Sequence, residues 1–255
     1  MSFKDNVVIV TGASSGIGAA AALKFAEEGA NVVIVARNKE KLTAVAEKCA
    51  ENGTKPLVIV ADLATDTCIK EIIDTTLTQF GKLNVLVNNA GICGFVDIVS
   101  DNIMKKFDEI IATNLRAAAY LTNLSMPHLI KSRGNVVNIS GVAAHAVLFP
   151  GNLAYCTSKA ALDHFTRGVA LDVASHGVRL NSICPGPVKS DYMDTLIPDK
   201  TKHKDFWDTL SKRTALGKLI EPKEVADLIL YLASDKARSI TGSSFVIDGG
   251  MLLKG

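Results

Sequence analysis

Short apolar runs alternate with longer segments of helical periodicity along the chain. Seven runs rich in β-branched residues have the length of buried strands, at 6–10, 31–36, 56–61, 84–88, 134–139, 178–183 and 244–247. Six intervening segments have the length of helices, at 18–28, 40–51, 66–80, 101–131, 154–175 and 222–233. Pro127 is expected to kink or interrupt the fourth helix. Such alternation is typical of a parallel sheet with crossover helices, so the sequence predicts an α/β fold.

The alternation fails once, over residues 190–215. This segment has no clear strand but carries seven apolar or aromatic residues: Tyr192, Met193, Leu196, Ile197, Phe206, Trp207 and Leu210. Ligands of doubly wound sheets bind at the carboxyl ends of the strands, where the segment leaves the sheet. We therefore expect residues 190–215 to form a lid over a ligand site.

Composition indicates one domain over residues 1–255. Apolar residues make up 48% of the 255 and charged residues 21%, and no linker-like tract divides the chain. The formal net charge is +2 with scattered basic residues, which excludes nucleic acid and an anionic membrane as expected partners.

The start of the chain and its cysteines indicate the compartment. The first residues lack the pattern of a secretory signal, and no apolar run is long enough to span a bilayer. The five cysteines are odd in number and lack metal-type spacing, so we expect reduced thiols and no metal site. The sequence therefore predicts a cytoplasmic protein.

A glycine-rich turn, Thr11-Gly-Ala-Ser-Ser-Gly-Ile-Gly18, joins the first predicted strand to an alanine-rich helix. Glycines permit a tight turn with close backbone approach, and a helix N-terminus offers N–H groups to a pyrophosphate. The alternative is a purely structural connection, but the placement favours a dinucleotide site. Its predicted contacts are Gly12, Ser14, Ser15, Gly16, Ile17 and Gly18.

The second predicted strand ends in Ala36-Arg37-Asn38, without the acidic residue that binds the ribose 2′-hydroxyl of NAD. Arg37 can pair with a 2′-phosphate, so we expect NADP(H), with Arg37 and Asn38 as contacts. The alternative is that Arg37 is a solvated loop charge. Asp62 and Leu63, after the third strand, are expected to hold the adenine, although Asp62 is equally typical of a helix cap.

Tyr155 and Lys159 are four residues apart, which places both side chains on one face of a helix. An adjacent ammonium favours the phenolate, so the pair predicts a tyrosine with a lowered pKa that acts as general acid and base. Taken alone, such a pair is more often an amphipathic surface pair.

Together these motifs resemble the short-chain dehydrogenase/reductase family over essentially the whole chain. The resemblance rests on motifs in the family's order: the glycine-rich turn, Asn88-Asn-Ala-Gly91, Asn114, Tyr155-x-x-x-Lys159, Pro185-Gly186, Ile240-Thr-Gly and Asp248-Gly-Gly250. It implies a single Rossmann-type domain with a doubly wound, seven-stranded parallel sheet. It also implies NAD(P)(H) binding and commonly a homodimer or homotetramer.

The resemblance also implies roles for individual residues. Tyr155 would exchange the substrate proton, Lys159 would hold the nicotinamide ribose, and Asn114 would bind a water that links Lys159 to solvent. Further cofactor contacts would be Asn89, Ala90, Gly91, Pro185, Gly186, Val188 and Ser190. This division fits the chemistry, because the cofactor carries the hydride and the protein orients it and supplies a proton.

The chain departs from the family at the serine that hydrogen-bonds the substrate oxygen. Matching forward from the fifth strand puts Gly141 in that place and leaves Ser140 one residue early. Either Ser140 still reaches the oxygen, which we favour, or the donor is missing and catalysis is weak. His145 lies in the same loop and is a further candidate, although a surface histidine is the more ordinary interpretation.

The expected substrate is a hydrophobic ketone, aldehyde or alcohol, such as a steroid, retinoid or other lipid-like carbonyl. The expected rim comprises Gly94, Phe95, Val96, Ala146, Val147, Leu148 and the lid residues, which are as typical of a core or subunit contact. Preference for NADP(H) points to carbonyl reduction, as the resemblance implies. The competing hypothesis is an NADP(H)-binding sensor or scaffold without efficient turnover. Enoyl reduction fits less well, because related enoyl reductases space Tyr and Lys more widely.

Overall fold

Strands and helices alternate as the sequence predicts. The computed structural model describes residues 2–190 and 199–254. Its strands are β1 (Val7–Thr11), β2 (Asn31–Ala36), β3 (Leu57–Val60), β4 (Val85–Asn88), β5 (Asn135–Ile139), β6 (Arg179–Pro185) and β7 (Ser244–Ile247). Its helices are α1 (Gly16–Glu27), α2 (Lys39–Asn52), α3 (Asp66–Phe80), α4 (Ile103–Ile111), α5 (Ala117–Ser132), α6 (Leu153–Val173), α7 (His203–Arg213), α8 (Pro222–Ala233) and α9 (Met251–Lys254).

The seven strands form one parallel sheet in the order β3-β2-β1-β4-β5-β6-β7. Strand order reverses at β1, which pairs with β2 on one side and β4 on the other. At such a switch point the loops leave the carboxyl ends of neighbouring strands in opposite directions and open a crevice. The predicted doubly wound Rossmann fold is confirmed, and the crevice lies beyond the ends of β1 and β4.

Helices cover both faces of the sheet. Alternate β1 side chains point to opposite faces: Val8 and Val10 pack with α1, α2 and α8, and Val7 and Ile9 pack with α3, α5 and α6. All four side chains are fully buried. Each contributes about 1.5–3 kcal/mol relative to an exposed position. This two-sided burial explains why β1 has an uninterrupted apolar sequence.

The long helical segment divides differently from the prediction. The chain stays helical through Pro127 to the end of α5, so the alternative of an interruption was wrong, while the alternative of a kink stays a prediction. The α-helical geometry changes instead at Ala112–Arg116, a π-helical turn between α4 and α5. Side-chain bonds made by Asn114 within this turn give a local reason for the wider geometry.

The expected lid is described only in part. Tyr192, Met193, Leu196 and Ile197 lie outside the described residues. The later part begins with a 3₁₀ turn, Lys200–Lys202, and continues as α7. Phe206, Trp207 and Leu210 of α7 join an apolar cluster with Val142 and Met251. Within the described ranges, no helix combines the length and apolar character needed to cross a membrane.

Candidate active site

The glycine-rich loop between β1 and α1 forms one wall of the crevice. Gly12 and Gly16 have left-handed backbone angles, with φ of +66° and +53°. A Cβ atom on Gly12 would lie 2.8 Å from the Ala90 Cα, and one on Gly18 would lie 2.4 Å from the Gly12 carbonyl oxygen. The loop therefore requires glycine at these positions. It also presents the N-terminus of α1 to the crevice, as pyrophosphate binding requires.

The Thr11 hydroxyl joins this loop to the loop after β4. Its Oγ1 donates to the Val87 carbonyl (3.2 Å) and accepts from the backbone N–H groups of Asn89 (3.0 Å) and Ala90 (3.1 Å). The Asn89 side-chain amide donates in return to the carbonyls of Thr11 (2.9 Å) and Gly12 (3.2 Å). The two loops are thus held together at the sheet edge.

One cavity of about 760 Å³ brings most of the predicted site residues together. Among the predicted catalytic residues it is lined by Ser140, Tyr155 and Lys159. Its predicted cofactor residues are Gly12, Ser14, Ser15, Gly16, Ile17, Arg37, Asn38, Asp62, Leu63, Asn89, Ala90, Gly91, Pro185, Gly186, Val188 and Ser190. Gly18 and Asn114 do not line it; each lies behind the wall and positions residues that do.

The far end of the cavity carries the residues expected to bind the adenosine half of a cofactor. Arg37 is exposed there, beside Lys41 of the first turn of α2. The Asn38 side chain accepts from the Lys41 backbone N–H at 2.8 Å and so caps α2. Asp62 also makes a local bond, accepting from the Ala64 N–H at 3.0 Å. The Arg37 and Lys41 side chains therefore lie at the capped start of α2.

The predicted catalytic pair, Tyr155 and Lys159, lies on α6 and lines the cavity. Lys159 is buried, and its Nζ donates to the Ile139 carbonyl oxygen at 2.7 Å. The same Nζ lies 5.6 Å from the centre of the Tyr155 ring. It would also lie 3.5 Å from a Cβ atom placed on Gly91. The lysine thus reaches the loop after β4, where the resemblance expects the nicotinamide ribose.

Burial controls the ionisation of this pair. Desolvation raises the pKa of the Tyr155 phenol well above its ordinary value, and the nearby Cys93 and Cys156 act in the same direction. The expected lowering of the tyrosine pKa by Lys159 was therefore wrong for this arrangement. Desolvation also lowers the pKa of the Lys159 ammonium to about 8, against an opposing effect of Asp163. Tyr155 is thus a neutral phenol at neutral pH, and most of Lys159 is charged.

Asp163 is a buried carboxylate one turn beyond Lys159 on α6. Its Oδ2 accepts from the Cys184 thiol at 3.3 Å and lies 3.7 Å from the Nε2 of the partly exposed His145. Ligand atoms of these three residues lie within 4.8 Å of one another. The second carboxylate oxygen, Oδ1, is buried and makes no hydrogen bond with the described residues.

Asn114 fixes the loop after β4 from the π-helical turn. Its Oδ1 accepts from the Ile92 N–H at 2.8 Å, and its Nδ2 donates to the Ile92 carbonyl at 2.8 Å. The Nδ2 also donates to Ser158 Oγ at 3.0 Å, next to Lys159 on α6. The side chain therefore connects α6 to the loop that precedes Cys93, while its predicted water contact stays a prediction.

Position 141, rather than 140, faces the tyrosine hydroxyl. A Cβ atom on Gly141 would lie 3.4 Å from the Tyr155 Oη. The Ser140 hydroxyl instead donates to the Lys159 backbone carbonyl at 3.0 Å, and the residue is buried. The Ser140 hydroxyl is thus already hydrogen-bonded to α6. Its contact with a substrate oxygen stays a prediction.

The opposite end of the cavity is apolar and aromatic. Of the expected rim, Phe95, Leu148, Phe206, Trp207 and Leu210 line it. Gly94, Val96, Ala146 and Val147 do not line it, and Val147 is 72% exposed. These four residues are thus not part of the cavity wall, and their place at a substrate rim stays a prediction.

Several lining residues were not predicted from the sequence, among them Lys41, Cys93, Phe149, Asn152 and Met251. Lys41 had a usable signal, since it follows the cap residue Asn38 by three positions. Phe149 and Met251 come from distant parts of the chain and meet only in the folded protein. Asn152 resembles an ordinary helix cap in sequence, so nothing marked it as a cavity residue.

The chain is similar to known proteins both in sequence and in structure. The family model described as Enoyl-(Acyl carrier protein) reductase matches residues 12–252. The chain is 35% identical over 252 residues to the 3-oxoacyl-(acyl-carrier-protein) reductase FabG of Staphylococcus aureus, with 96% of this chain and 97% of that protein covered.

Two solved structures are similar over nearly their whole length. A Caenorhabditis elegans short-chain dehydrogenase/reductase of unknown function, solved with cofactor, has a TM-score of 0.93 and 34% identity, covering 99% of this chain and 97% of that chain. The L-sorbose reductase of Gluconobacter frateurii, complexed with NADPH and L-sorbose, has a TM-score of 0.90 and 28% identity, covering 99% and 98%. Sequence and structure agree, and the chain belongs to the short-chain dehydrogenase/reductase family.

Proposed function

We propose that the protein is an NADP(H)-dependent oxidoreductase that interconverts a hydrophobic ketone or aldehyde and its alcohol, working mainly as a carbonyl reductase. The observation that carries this proposal is a single cavity shared by the glycine-rich loop, Arg37, Tyr155 and Lys159. The cavity thus combines the predicted dinucleotide contacts with the Tyr155 phenol and with the apolar residues Leu148, Phe206 and Trp207. The family uses NAD(P)H, so hydride transfer is the chemistry available there.

A nicotinamide cofactor bound along the glycine-rich loop would supply the hydride that adds to the carbonyl carbon of the substrate. The protein then has to supply a proton to the carbonyl oxygen, so that both additions yield the alcohol. Tyr155 is suited to this step, because its raised pKa keeps the phenol protonated until negative charge develops on the oxygen. The Lys159 ammonium lies beside the ring and stabilises the phenolate that remains.

The preference for NADP(H) rests on charge at the adenosine end. Arg37 and Lys41 line the cavity there, and β2 ends in Ala36-Arg37-Asn38 without a carboxylate. Two cations match a 2′-phosphate, whereas a carboxylate would repel it. The similar sorbose reductase was solved with NADPH, which supports the same assignment here.

The substrate class rests on the aromatic end of the cavity. Phe95 and Phe149 meet edge to face at 6.2 Å, and Phe206 meets Trp207 at 6.0 Å. These rings favour a carbonyl compound with a sizeable apolar or aromatic body, such as a steroid or lipid-like ketone. The similar proteins include a 3-oxoacyl-(acyl-carrier-protein) reductase and an L-sorbose reductase, whose named substrates differ in polarity, so the substrate class here rests on the aromatic residues of this chain.

The test is NADPH oxidation by the purified protein with a panel of hydrophobic and polar ketones, compared with a Tyr155→Phe variant. We expect turnover with hydrophobic ketones and a loss of at least about 100-fold in kcat for the variant. Tyr120→Phe is the matched control, because Tyr120 packs in the core on α5 and does not line the cavity. Turnover that is equal in wild type and Tyr155→Phe would exclude the mechanism.

The second candidate is an NADP(H)-binding sensor without efficient turnover. Gly141 favours it, because position 141 faces the Tyr155 hydroxyl but offers no donor. Tight NADPH binding by calorimetry, with no Tyr155-dependent turnover across the panel, would support the sensor over the reductase.

A further inference from the structure

Asn152 occupies a helix-cap position but does not use its side chain as a cap. It is the N-cap residue of α6, and no side-chain cap bond is formed. Asparagine is favoured at this position because its side-chain oxygen accepts from a free N–H of the first turn. At α2, Asn38 shows this ordinary arrangement by accepting from the Lys41 N–H. The Asn152 side chain is therefore directed elsewhere.

Its direction is into the active site. Asn152 is 5% exposed and lines the cavity that contains Tyr155. Its Oδ1 accepts from the Cys93 thiol at 3.3 Å, on the loop that Asn114 holds in place. This bond orients the amide, so the Nδ2 group is the end left for another partner. Within the described part of the chain, that Nδ2 makes no hydrogen bond.

The nearby donors are already engaged. Ser140 donates to the Lys159 carbonyl, Lys159 donates to the Ile139 carbonyl, and Cys93 donates to Asn152 itself. Gly141 has no side chain at the position that faces Tyr155 Oη. Asn152 immediately precedes the helix that carries Tyr155, and both residues line the same cavity. Cys93, which donates to Asn152, also acts on the pKa of Tyr155, so the thiol lies close to both side chains. An uncommitted amide donor thus shares the cavity with the phenol, and position 141 supplies none.

We propose that the Asn152 Nδ2 group donates the second hydrogen bond to the carbonyl oxygen of the substrate, beside Tyr155 Oη, and so replaces the serine that position 141 lacks. Asn152 is then a catalytic residue, because it touches the oxygen on which negative charge develops. This inference rests on the proposed carbonyl reduction. A ketone or aldehyde oxygen is the group that fits between an amide N–H and a phenol O–H.

The first test replaces the amide without weakening the helix start. Asn152→Asp removes the Nδ2 donor but keeps an oxygen that accepts from the Cys93 thiol. The wild-type side chain makes no cap bond that could be lost, so we expect little change in thermal stability and kcat lowered by about 10² to 10³. Asn102→Asp is the matched control, since Asn102 is the N-cap of α4 and is exposed outside the cavity. A structural role alone would instead change the melting temperature and leave kcat in place.

The second test introduces a hydroxyl donor at position 141, which faces the Tyr155 Oη. Position 141 has an extended φ of 169°, and an added Cβ would meet nothing closer than 3.4 Å, so serine fits there. We expect Gly141→Ser to recover at least about tenfold of the kcat lost in Asn152→Ala, because one donor substitutes for the other. The single Gly141→Ser variant should gain much less than this.

The outcomes separate this inference from the proposed function. If wild type and Asn152→Ala turn over ketones equally while Tyr155→Phe is inactive, the role of Asn152 is wrong and the reductase stands. If no ketone is reduced by the wild type or by Gly141→Ser, the proposed function fails and the role of Asn152 fails with it. Loss in Asn152→Asp together with rescue by Gly141→Ser supports both.

Discussion

At the scale of single residues, the buried ammonium of Lys159 predicts a basic limit to reduction. Burial lowers its pKa to about 8, whereas the pKa of Tyr155 is raised out of the same range. As pH rises through about 8, Lys159 loses the charge that stabilises the phenolate. We expect kcat/KM for ketone reduction to be level below that pH and to fall about tenfold per pH unit above it. Initial rates from about pH 6 to about pH 10 measure this limb.

Asp163 provides the control for this assignment. Its carboxylate raises the pKa of Lys159 against the effect of burial, so Asp163→Asn should move the basic limb to lower pH. Asp172→Asn, at an exposed position on the same helix, should leave the limb in place. A limb that does not move in Asp163→Asn would assign the titration to a group other than Lys159.

Arg37 predicts the choice between the two nicotinamide cofactors. Removing one charge-assisted contact of about 1.5–3 kcal/mol should lower kcat/KM for NADPH by about 10- to 100-fold in Arg37→Ala. The value for NADH should change little, because NADH has no 2′-phosphate. Steady-state kinetics with both cofactors measure the ratio, and Arg238→Ala, outside the cavity, is the control. An unchanged ratio would contradict the NADP(H) assignment.

Residues of the site differ in how far the sequence could identify them. The spacing of Tyr155 and Lys159 was sufficient to place both on one helix face, and both line the cavity. The direction of the pKa shift of Tyr155 could not be predicted from the sequence, because it depends on burial in the folded chain. The orientation of Asn152 was hidden for a similar reason, since Cys93 approaches it only in the folded chain.

At the scale of elements, the π-helical turn predicts a stability role for Asn114. Replacing Asn114 by alanine removes three hydrogen bonds and leaves the N–H and carbonyl of Ile92 without these partners. We expect the free energy of unfolding to fall by about 1–3 kcal/mol, measured by urea denaturation, together with lower kcat.

Asn114→Asp is the informative comparison at this position. Its carboxylate still accepts from the Ile92 N–H but can no longer donate to the Ile92 carbonyl or to Ser158. Because the second carboxylate oxygen then faces the Ile92 carbonyl oxygen at a buried position, the stability of this variant should fall at least as far as that of Asn114→Ala. Equal stability of all three proteins would mean that the turn is held by other contacts.

Element boundaries were predictable where the pattern was regular. All seven strands lie within two residues of their predicted limits, because buried parallel strands have distinct apolar runs. The division at Ala112–Arg116 was not predictable, since helical periodicity does not reveal a side chain that bonds to a distant loop. Pro127 predicted an interruption where none occurs, because α5 tolerates the loss of one backbone donor.

At the scale of the whole molecule, we propose the homodimer or homotetramer that the family resemblance implies. Leu171 is 81% exposed on the outer face of α6, where Ala160 and Gly168 are also exposed. Small residues beside an exposed leucine allow close approach of a second helix. We expect Leu171→Lys to shift the mass measured by light scattering towards the monomer. Leu216→Lys is the control, because Leu216 is an exposed leucine in the loop between α7 and α8, and an unchanged mass in Leu171→Lys would place the interface elsewhere.

The overall architecture was the most predictable level. Alternating strands and helices restrict the topology strongly, because parallel crossovers are right-handed and neighbouring elements pack together. The apolar end of the cavity was the least predictable, since Leu148, Trp207 and Met251 meet there from three separate segments. Fold and cofactor groove thus depend on local patterns, and substrate choice depends on long-range packing.

The Thr11 hydroxyl has a consequence for how the cofactor enters. It connects the glycine-rich loop and the loop after β4 by three hydrogen bonds. The distance between the two loops is therefore set by the folded chain itself, before a dinucleotide binds. Little of the affinity for a dinucleotide is then lost to ordering these loops.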